Sequence, residues 1–238
     1  MKNEVVFCIP ARKGSRRIPN KNMLVLDGET LIARKIRQLL PLGTVVVGSD
    51  SDEMLDEAKR HGAIAVRRSK TDEGHDSAND MIAEFLELIE PCDTVVWAHC
   101  TNPLISTDTY GRALDEFHRG LQEGYDSLVS VHEIHGHYWC ADKRTPMYDV
   151  TWCKNIRHLC ASDLPPIYEQ DGGIFIQSYD TMRENRYFFG DRPRLFEIPD
   201  DEFMDINTER DWRCCLACIA PEIVAEAIRR SITTQDKP

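Results

Sequence analysis

The densest run of chemically able side chains is IPARKGSRRIPNKN, residues 9–22. Arg12, Lys13, Arg16, Arg17 and Lys21 put five cations within ten residues. After Ala11, Gly14 and Ser15 allow a tight turn with exposed backbone N–H groups. Such amides beside Arg and Lys suit a polyphosphate. Pro10 and Pro19 stiffen both ends. The run contains neither GxxxxGK[ST] nor GxGxxG, so it is not a Walker loop or a dinucleotide fingerprint. Composition alone also fits a solvated basic loop.

Four further segments carry polar groups at useful places. FMDINTERDW, residues 203–212, sets Asp205 just ahead of a helix that Asn207 or Thr208 can cap. A carboxylate there can anchor Mg²⁺ through oxygen, with phosphate oxygens and water completing the shell. Glu209 and Asp211 also fit as acids favoured by the helix dipole. WAHCTNPLIS, residues 97–106, offers Thr101 and Asn102 to a nucleotide or substrate, or shapes the turn before Pro103. RRSKTDEGHDSAND, residues 67–80, offers Arg68 to a base or phosphate and Asp76 or Ser77 as a helix cap. DLPPIYEQDGGIFI, residues 163–176, places Glu169, Gln170 and Asp171 before a Gly-Gly turn, facing a polar substrate or solvent.

The elements that position these residues follow from apolar spacing. Short apolar runs at 5–10, 44–48, 63–66, 94–98 and 127–131 predict strands. Helical spacing at 30–40, 53–61, 77–90 and 108–123 predicts the helices between them. This alternation predicts a mainly parallel sheet covered on both faces. Ligands of such sheets sit beyond the C-terminal strand ends, where the loops after the strands at 5–10 and 94–98 emerge. The rhythm breaks at residue 132; an irregular stretch to 163 precedes strands at 173–177 and 195–198 and a helical region at 208–227.

Bulk composition sets limits. With 29 basic and 40 acidic residues the net charge is −11, which disfavours a broad nucleic-acid footprint. A local basic pocket can still sit in an acidic surface. The N-terminal apolar run is too short for a signal peptide, and no segment approaches the ~20 apolar residues of a membrane span. Nine scattered cysteines then predict reduced thiols in the cytoplasm. His132, His135, His137 and Cys140 lack the carboxylate of an HExxH zinc site and read as an inserted arm. Cys214, Cys215 and Cys218 read as buried core thiols of a helix; Tyr148, Trp139 and Trp152 read as packing of the insertion.

The basic loop, the loop after the strand at 94–98, the LPPIY…DGGIFI segment and the DIN…D segment occur in this order. Together they resemble the acylneuraminate cytidylyltransferases (CMP-sialic acid synthetases) and, more distantly, the CMP-Kdo synthetases, over residues 5–218. The resemblance implies a Rossmann-like three-layer α/β nucleotidyltransferase fold spanning residues 1–230. It implies an inserted dimerisation and lid region at 132–168 and a homodimer; the tail at 231–238 reads as frayed on its own residues. The resemblance further implies that CTP with Mg²⁺ donates CMP to the hydroxyl of a nonulosonic or related sugar acid.

Carried over residue by residue, Arg12 and Lys21 grip the phosphates, and Ala11, Gly14 and Ser15 line them with backbone. Asn22, Arg68, Ser77 and Cys100 lie by the nucleotide; Thr101, Asn102, Gln170 and Asp171 lie by the acceptor. Asp205 carries the metal with Asn207, and Arg12, Lys21 and Asp205 are the catalytic set. Three departures stand out. Asp-x-Asp becomes Asp205-Ile206-Asn207, where Asn can ligate only through a neutral carbonyl oxygen. Gln-Pro-Thr-Ser-Pro becomes His99-Cys100-Thr101-Asn102-Pro103, and the reading puts Cys100 in place of the Gln. The basic residues and Asn-Gly before the Gly-Gly turn become Glu169-Gln170-Asp171-Gly172. A carboxylate there repels a carboxylated sugar, which favours another nonulosonate, an amino sugar acid or an amine-bearing phosphonate. A different nucleotide, or a non-catalytic nucleotide-binding role, are the alternatives.

Overall fold

The computed structural model describes residues 4–15, 17–69, 78–147 and 159–219. Its centre is strand β1 (Val5–Pro10), flanked by β4 (Thr44–Ser49) and β6 (Thr94–Trp97), both parallel to it. Outside β4 lies β5 (Ile64–Arg67); outside β6 lie β10 (Ile167–Ser178), β7 (Ser127–Ile134) and β11 (Pro193–Glu197). The sheet order is β11-β7-β10-β6-β1-β4-β5. Only β10 runs against its neighbours, so the sheet is mixed but mostly parallel. Two short ladders stand apart: β2 (Val25–Leu26) with β3 (Glu29–Thr30), and β8 (Trp139–Cys140) with β9 (Thr145–Pro146).

Alternation along β1 explains the three layers. Phe7 and Ile9 point to one face and join α1 (Leu31–Leu39), α2 (Asp52–Arg60) and α4 (Thr107–Gln122) in one core. Val6 and Cys8 point to the other and join α3 (Ala78–Glu87) and α5 (Tyr179–Asn185). Both faces being covered, the central strands read as unbroken apolar runs rather than alternating ones. Helix starts follow the capping rule: Thr30 accepts from Ala33 N, Ser106 from Thr109 N and Ser178 from Thr181 N. Ser51 precedes α2 without a side-chain cap bond.

Three expectations change. The strand at 127–131 continues to Ile134, because Ile167, Tyr168 and Glu169 pair with Ile134, Glu133 and His132. The strand at 173–177 accordingly starts at Ile167, with its register broken between Gln170 and Phe175. The segment 179–185, unassigned from sequence, is α5, seven residues long and too short for a clear periodic signal. The last helix, α6 (Glu209–Ile219), begins as expected; residues 220–227 and the tail at 231–238 lie outside the described residues, as do Tyr148 and Trp152.

Candidate active site

From β1 the chain winds outward through β4 and β5, then crosses back to lay β6 on the opposite side of β1. The C-terminal ends of β1 and β6 therefore flank the point where the winding reverses, the usual crevice of such sheets. A cavity of about 800 Å³ opens there. Its walls come from segments far apart in sequence: the basic loop, the turn after β6, the irregular run before α6, Gly172 of β10, and Arg68 with Ala78 and Met81.

The basic loop is pinned at its base. Ala11 N donates to Gly48 O (2.9 Å) and Lys13 N to Asp50 Oδ1 (2.7 Å). Gly14 takes φ +80°, a conformation costly for other residues, and turns the chain back. Asn20, also left-handed at φ 49°, starts the 3₁₀ turn Lys21–Met23 that aims Lys21 inward. Arg12, Ser15, Arg17, Lys21 and Asn22 line the cavity. Ala11 is buried beneath it, and Arg16 lies outside the described residues.

The opposite wall is set by a capping box. Thr208 Oγ1 accepts from Asp211 N (3.3 Å), and Asp211 Oδ2 accepts from Thr208 N (2.7 Å) and Asn207 N (2.9 Å). Burial alone would raise the Asp211 carboxyl, but those amides outweigh it and hold it below the ordinary range. Asp211 is thus a cap. Asp205 and Asn207 face the cavity. Lys21 Nζ crosses to Ile206 O (2.6 Å) and reaches Asn207 Oδ1 (3.5 Å), while Arg17 NH2 donates to Asn207 Oδ1 (2.8 Å). Asn207 Nδ2 in turn bonds Asp205. Burial lowers the Lys21 ammonium's pKa, Asp205 partly restores it, and Arg17 and Arg12 press it down again.

The third wall corrects the sequence reading of the turn after β6. Cys100 is 1% exposed and lies under the loop, and burial pushes its thiol up to about 12. His99 lines the cavity instead. Its Nε2 accepts from Trp97 Nε1 (3.3 Å), so Nδ1 carries the proton donated to Gly172 O (2.7 Å). Burial depresses its pKa, which keeps this ring neutral. A residue-by-residue count of His99-Cys100-Thr101-Asn102-Pro103 against the motif, whose first residue is Gln, already pointed to His99. Thr101, Asn102 and Gly172 also line the cavity. Gln170 is exposed and outside it; Asp171 is buried behind it, its carboxyl raised by burial.

Arg68, 4% exposed, lines the side nearest β4, and its Nε has no hydrogen-bond partner, only Glu84 at 3.5 Å. Ser77 lies outside the described residues; Ala78, which follows it, lines the cavity. Among the described residues, the lining thus holds Arg12, Arg17, Lys21 and Arg68 against one carboxylate, Asp205. Such an excess in a cleft focuses potential onto a polyanion despite the acidic chain. Among the described residues no group of three or more His, Cys, Asp or Glu is placed to hold a metal. His132 stacks on Phe203 (4.1 Å), His135 bonds Glu133 (2.8 Å), and His137 bonds Leu159 O (3.1 Å). Of the cysteines expected in the core of the last helix, Cys215 is buried, but Cys214 and Cys218 are exposed. No described helix is long and apolar enough to cross a membrane.

Known proteins resemble the chain in sequence and in fold. The chain is 26% identical over 217 residues to an N-acylneuraminate cytidylyltransferase of Streptococcus agalactiae serotype III, covering 87% of this chain and 51% of that protein. It thus spans about half the length of the first curated relatives it matches. It is 28% identical over 222 residues to the CMP-N,N'-diacetyllegionaminic acid synthase of Legionella pneumophila, covering 87% and 93%. A solved CMP:2-keto-3-deoxy-manno-octonic acid synthetase complexed with CTP shares the fold, with TM-score 0.66 at 17% identity over 92% of this chain and 99% of that one. The family model described as Cytidylyltransferase matches residues 6–188, and with that match the chain belongs to the cytidylyltransferase family.

Proposed function

We propose that the protein transfers CMP from CTP to a hydroxyl of a sugar acid and releases pyrophosphate. One observation carries this reading: the basic loop and Asp205, 184 residues or more apart for Lys21, meet across one cavity through the Lys21–Ile206 bond of 2.6 Å. The same activity is what the names of the streptococcal and Legionella relatives describe for those proteins. The acceptor oxygen forms a bond to the α-phosphorus as the bond to pyrophosphate breaks. Such a displacement asks for alignment and neutralisation of charge more than for a covalent intermediate.

In this reading Arg12 and Lys21 neutralise the phosphates, with Gly14 and Ser15 supplying backbone contacts. Asn22 and Arg68 flank the nucleotide, and Ser77 follows from the resemblance alone. Thr101 and Asn102 face the acceptor. The donor set fits Mg²⁺ in a limited way: the carboxylate of Asp205 suits an ion that binds one or two carboxylates plus phosphates and water. Asp205 would hold it, and the ion would supply further charge neutralisation. Asn207 has its Oδ1 engaged by Arg17 and Lys21, so its part is to steady those cations.

The acceptor differs from ordinary N-acetylneuraminate in this reading. Glu169 and Gln170 stand exposed on β10, outside the cavity lining; in this reading the Glu169 carboxylate lies towards an acceptor bound beside Gly172, which disfavours a carboxylated ligand and favours one with an amine. The extension made by the ends of β7 and β10, with exposed Tyr168, Trp139 and Met147 nearby, is the homodimer arm. Pyrophosphate release, measured with each of four nucleoside triphosphates over an acceptor panel, tests the reading. Turnover should need CTP; strong preference for N-acetylneuraminate would sink the acceptor assignment.

A further inference from the structure

Lys35 sits in the middle of α1 with no exposed surface, and no step above uses it. An apolar side chain of its size would be cheaper to bury, so its retention needs a reason. Its Nζ donates to Asn102 O (2.8 Å) and to Tyr110 Oη (2.9 Å). Tyr110 Oη passes the bond on to Gly173 O (3.2 Å). Two neighbours on α1 grip the next carbonyl: Arg34 Nε and Gln38 Nε2 both donate to Pro103 O, at 3.0 and 2.9 Å.

The second end of this network is the break in the β10 ladder between Gln170 and Phe175. Backbone carbonyls there have lost their strand partners and must find others. Each finds a side chain. Asn102 Nδ2 donates to Asp171 O (2.9 Å), His99 Nδ1 to Gly172 O (2.7 Å), Tyr110 to Gly173 O, and Ser130 Oγ to Ile174 O (3.1 Å). Asn102 and Gly172, both in the cavity wall, are therefore fixed by one buried set of bonds on which Lys35 supplies the reach.

We propose that Lys35 is a positioning residue, which holds the Asn102 turn and the Gly172–Gly173 bulge in register from behind the cavity. Its ammonium faces Cys100 and Asn102 of the turn, Asp171 of β10, Tyr110 of α4, Glu202, and Arg34 of its own helix; burial brings its pKa down to about 7. The kinetic part of the proposal rests on the transfer reaction above; the structural part does not.

Two variants test it: Lys35→Met, which fills the same space, and Tyr110→Phe, which keeps the Lys35–Asn102 bond but cuts the path to Gly173. Hydrogen–deuterium exchange of the nucleotide-free chain is the first readout. Lys35→Met should lose protection at residues 99–103 and 171–174 with β1, β4 and α1 unchanged; Tyr110→Phe should lose it at 171–174 alone. With CTP and an acceptor, Lys35→Met should lose roughly tenfold to a hundredfold in kcat, the scale of a 1 Å misplacement, with Tm held or raised. Wild-type exchange at both segments in Lys35→Met, or loss of protection throughout the fold, would overturn the assignment. A wild-type chain without CTP turnover overturns the functional reading instead, and the exchange result still decides for Lys35.

Discussion

Gly48→Ala is the substitution that tests most closely how packing reaches the site. Gly48 is the penultimate residue of β4, and a Cβ built there would lie 2.8 Å from Arg68 Cδ, 2.8 Å from Phe85 Cδ2 and closer still to Phe85 Cε2. Carbon atoms prefer ~3.5 Å or more, so Arg68 must retreat by roughly 0.7 Å and the Phe85 ring by more. Phe85 has no room: it is fully buried, with Trp97 edge-on at 5.1 Å. Overpacking of this kind costs about 1–3 kcal/mol. For a chain of this size that corresponds to a Tm lower by ~2–12 °C. Arg68 moves with Phe85, and its guanidinium leaves the cavity wall. Losing part of a charge-assisted contact of ~1.5–3 kcal/mol raises the CTP KM by about tenfold. Thermal denaturation and CTP saturation kinetics read the two effects. An alanine variant with wild-type Tm and KM would refute the argument that this glycine is required by the ring and the arginine beside it.

Other outcomes follow from the same geometry. Asp205→Asn should leave the fold intact and cut Mg²⁺-dependent turnover by roughly 10²–10³-fold, the scale of losing one preorganised charge contact; a rate within threefold of wild type would remove Asp205 from the metal site. Asn207→Asp adds a second carboxylate beside Asp205 and should lower the Mg²⁺ concentration needed for half-maximal rate; a higher requirement would place the ion elsewhere. Lys35 has a folded value near 7, below its ordinary one, so the unfolded chain binds that proton more tightly between about 7 and the ordinary lysine range. Its burial penalty is complete below that window and is relieved as pH rises through it. The gap in Tm between wild type and Lys35→Met should therefore narrow from pH 7 to pH 9 in favour of wild type; a constant gap would contradict it.

The parallel part of the sheet was legible because Val5–Pro10 and Thr44–Ser49 are buried on both faces and so are continuous apolar runs. β10 was harder. Its first residues, Ile167 to Gln170, alternate poorly and pair only with the end of β7, whose partnership is made at a distance of more than thirty residues. Nothing local announces such a pairing. The basic loop was legible as a polyanion site because five cations and a glycine turn are a local signal. That Asn207 bridges Arg17 and Lys21 and that Asp211 is a cap are matters of side-chain direction, whereas His99 in place of Cys100 was open to a strict count of the motif. Lys35 shows the limit most plainly: it reads as one more helix cation, and only the Asn102 carbonyl 67 residues away gives it a role.

The most direct test follows the label of CTP carrying ³²P at the α-phosphate. Incubated with Mg²⁺ and the acceptor panel, the wild-type chain should move that label onto a sugar acid and release unlabelled pyrophosphate in equal amount. Asp205→Asn and Lys21→Met should each slow both by roughly 10²-fold or more. Label that stays in CTP with every acceptor, or equal transfer by the Asp205→Asn variant, would contradict the claim that the basic loop and Asp205 together form the transfer site.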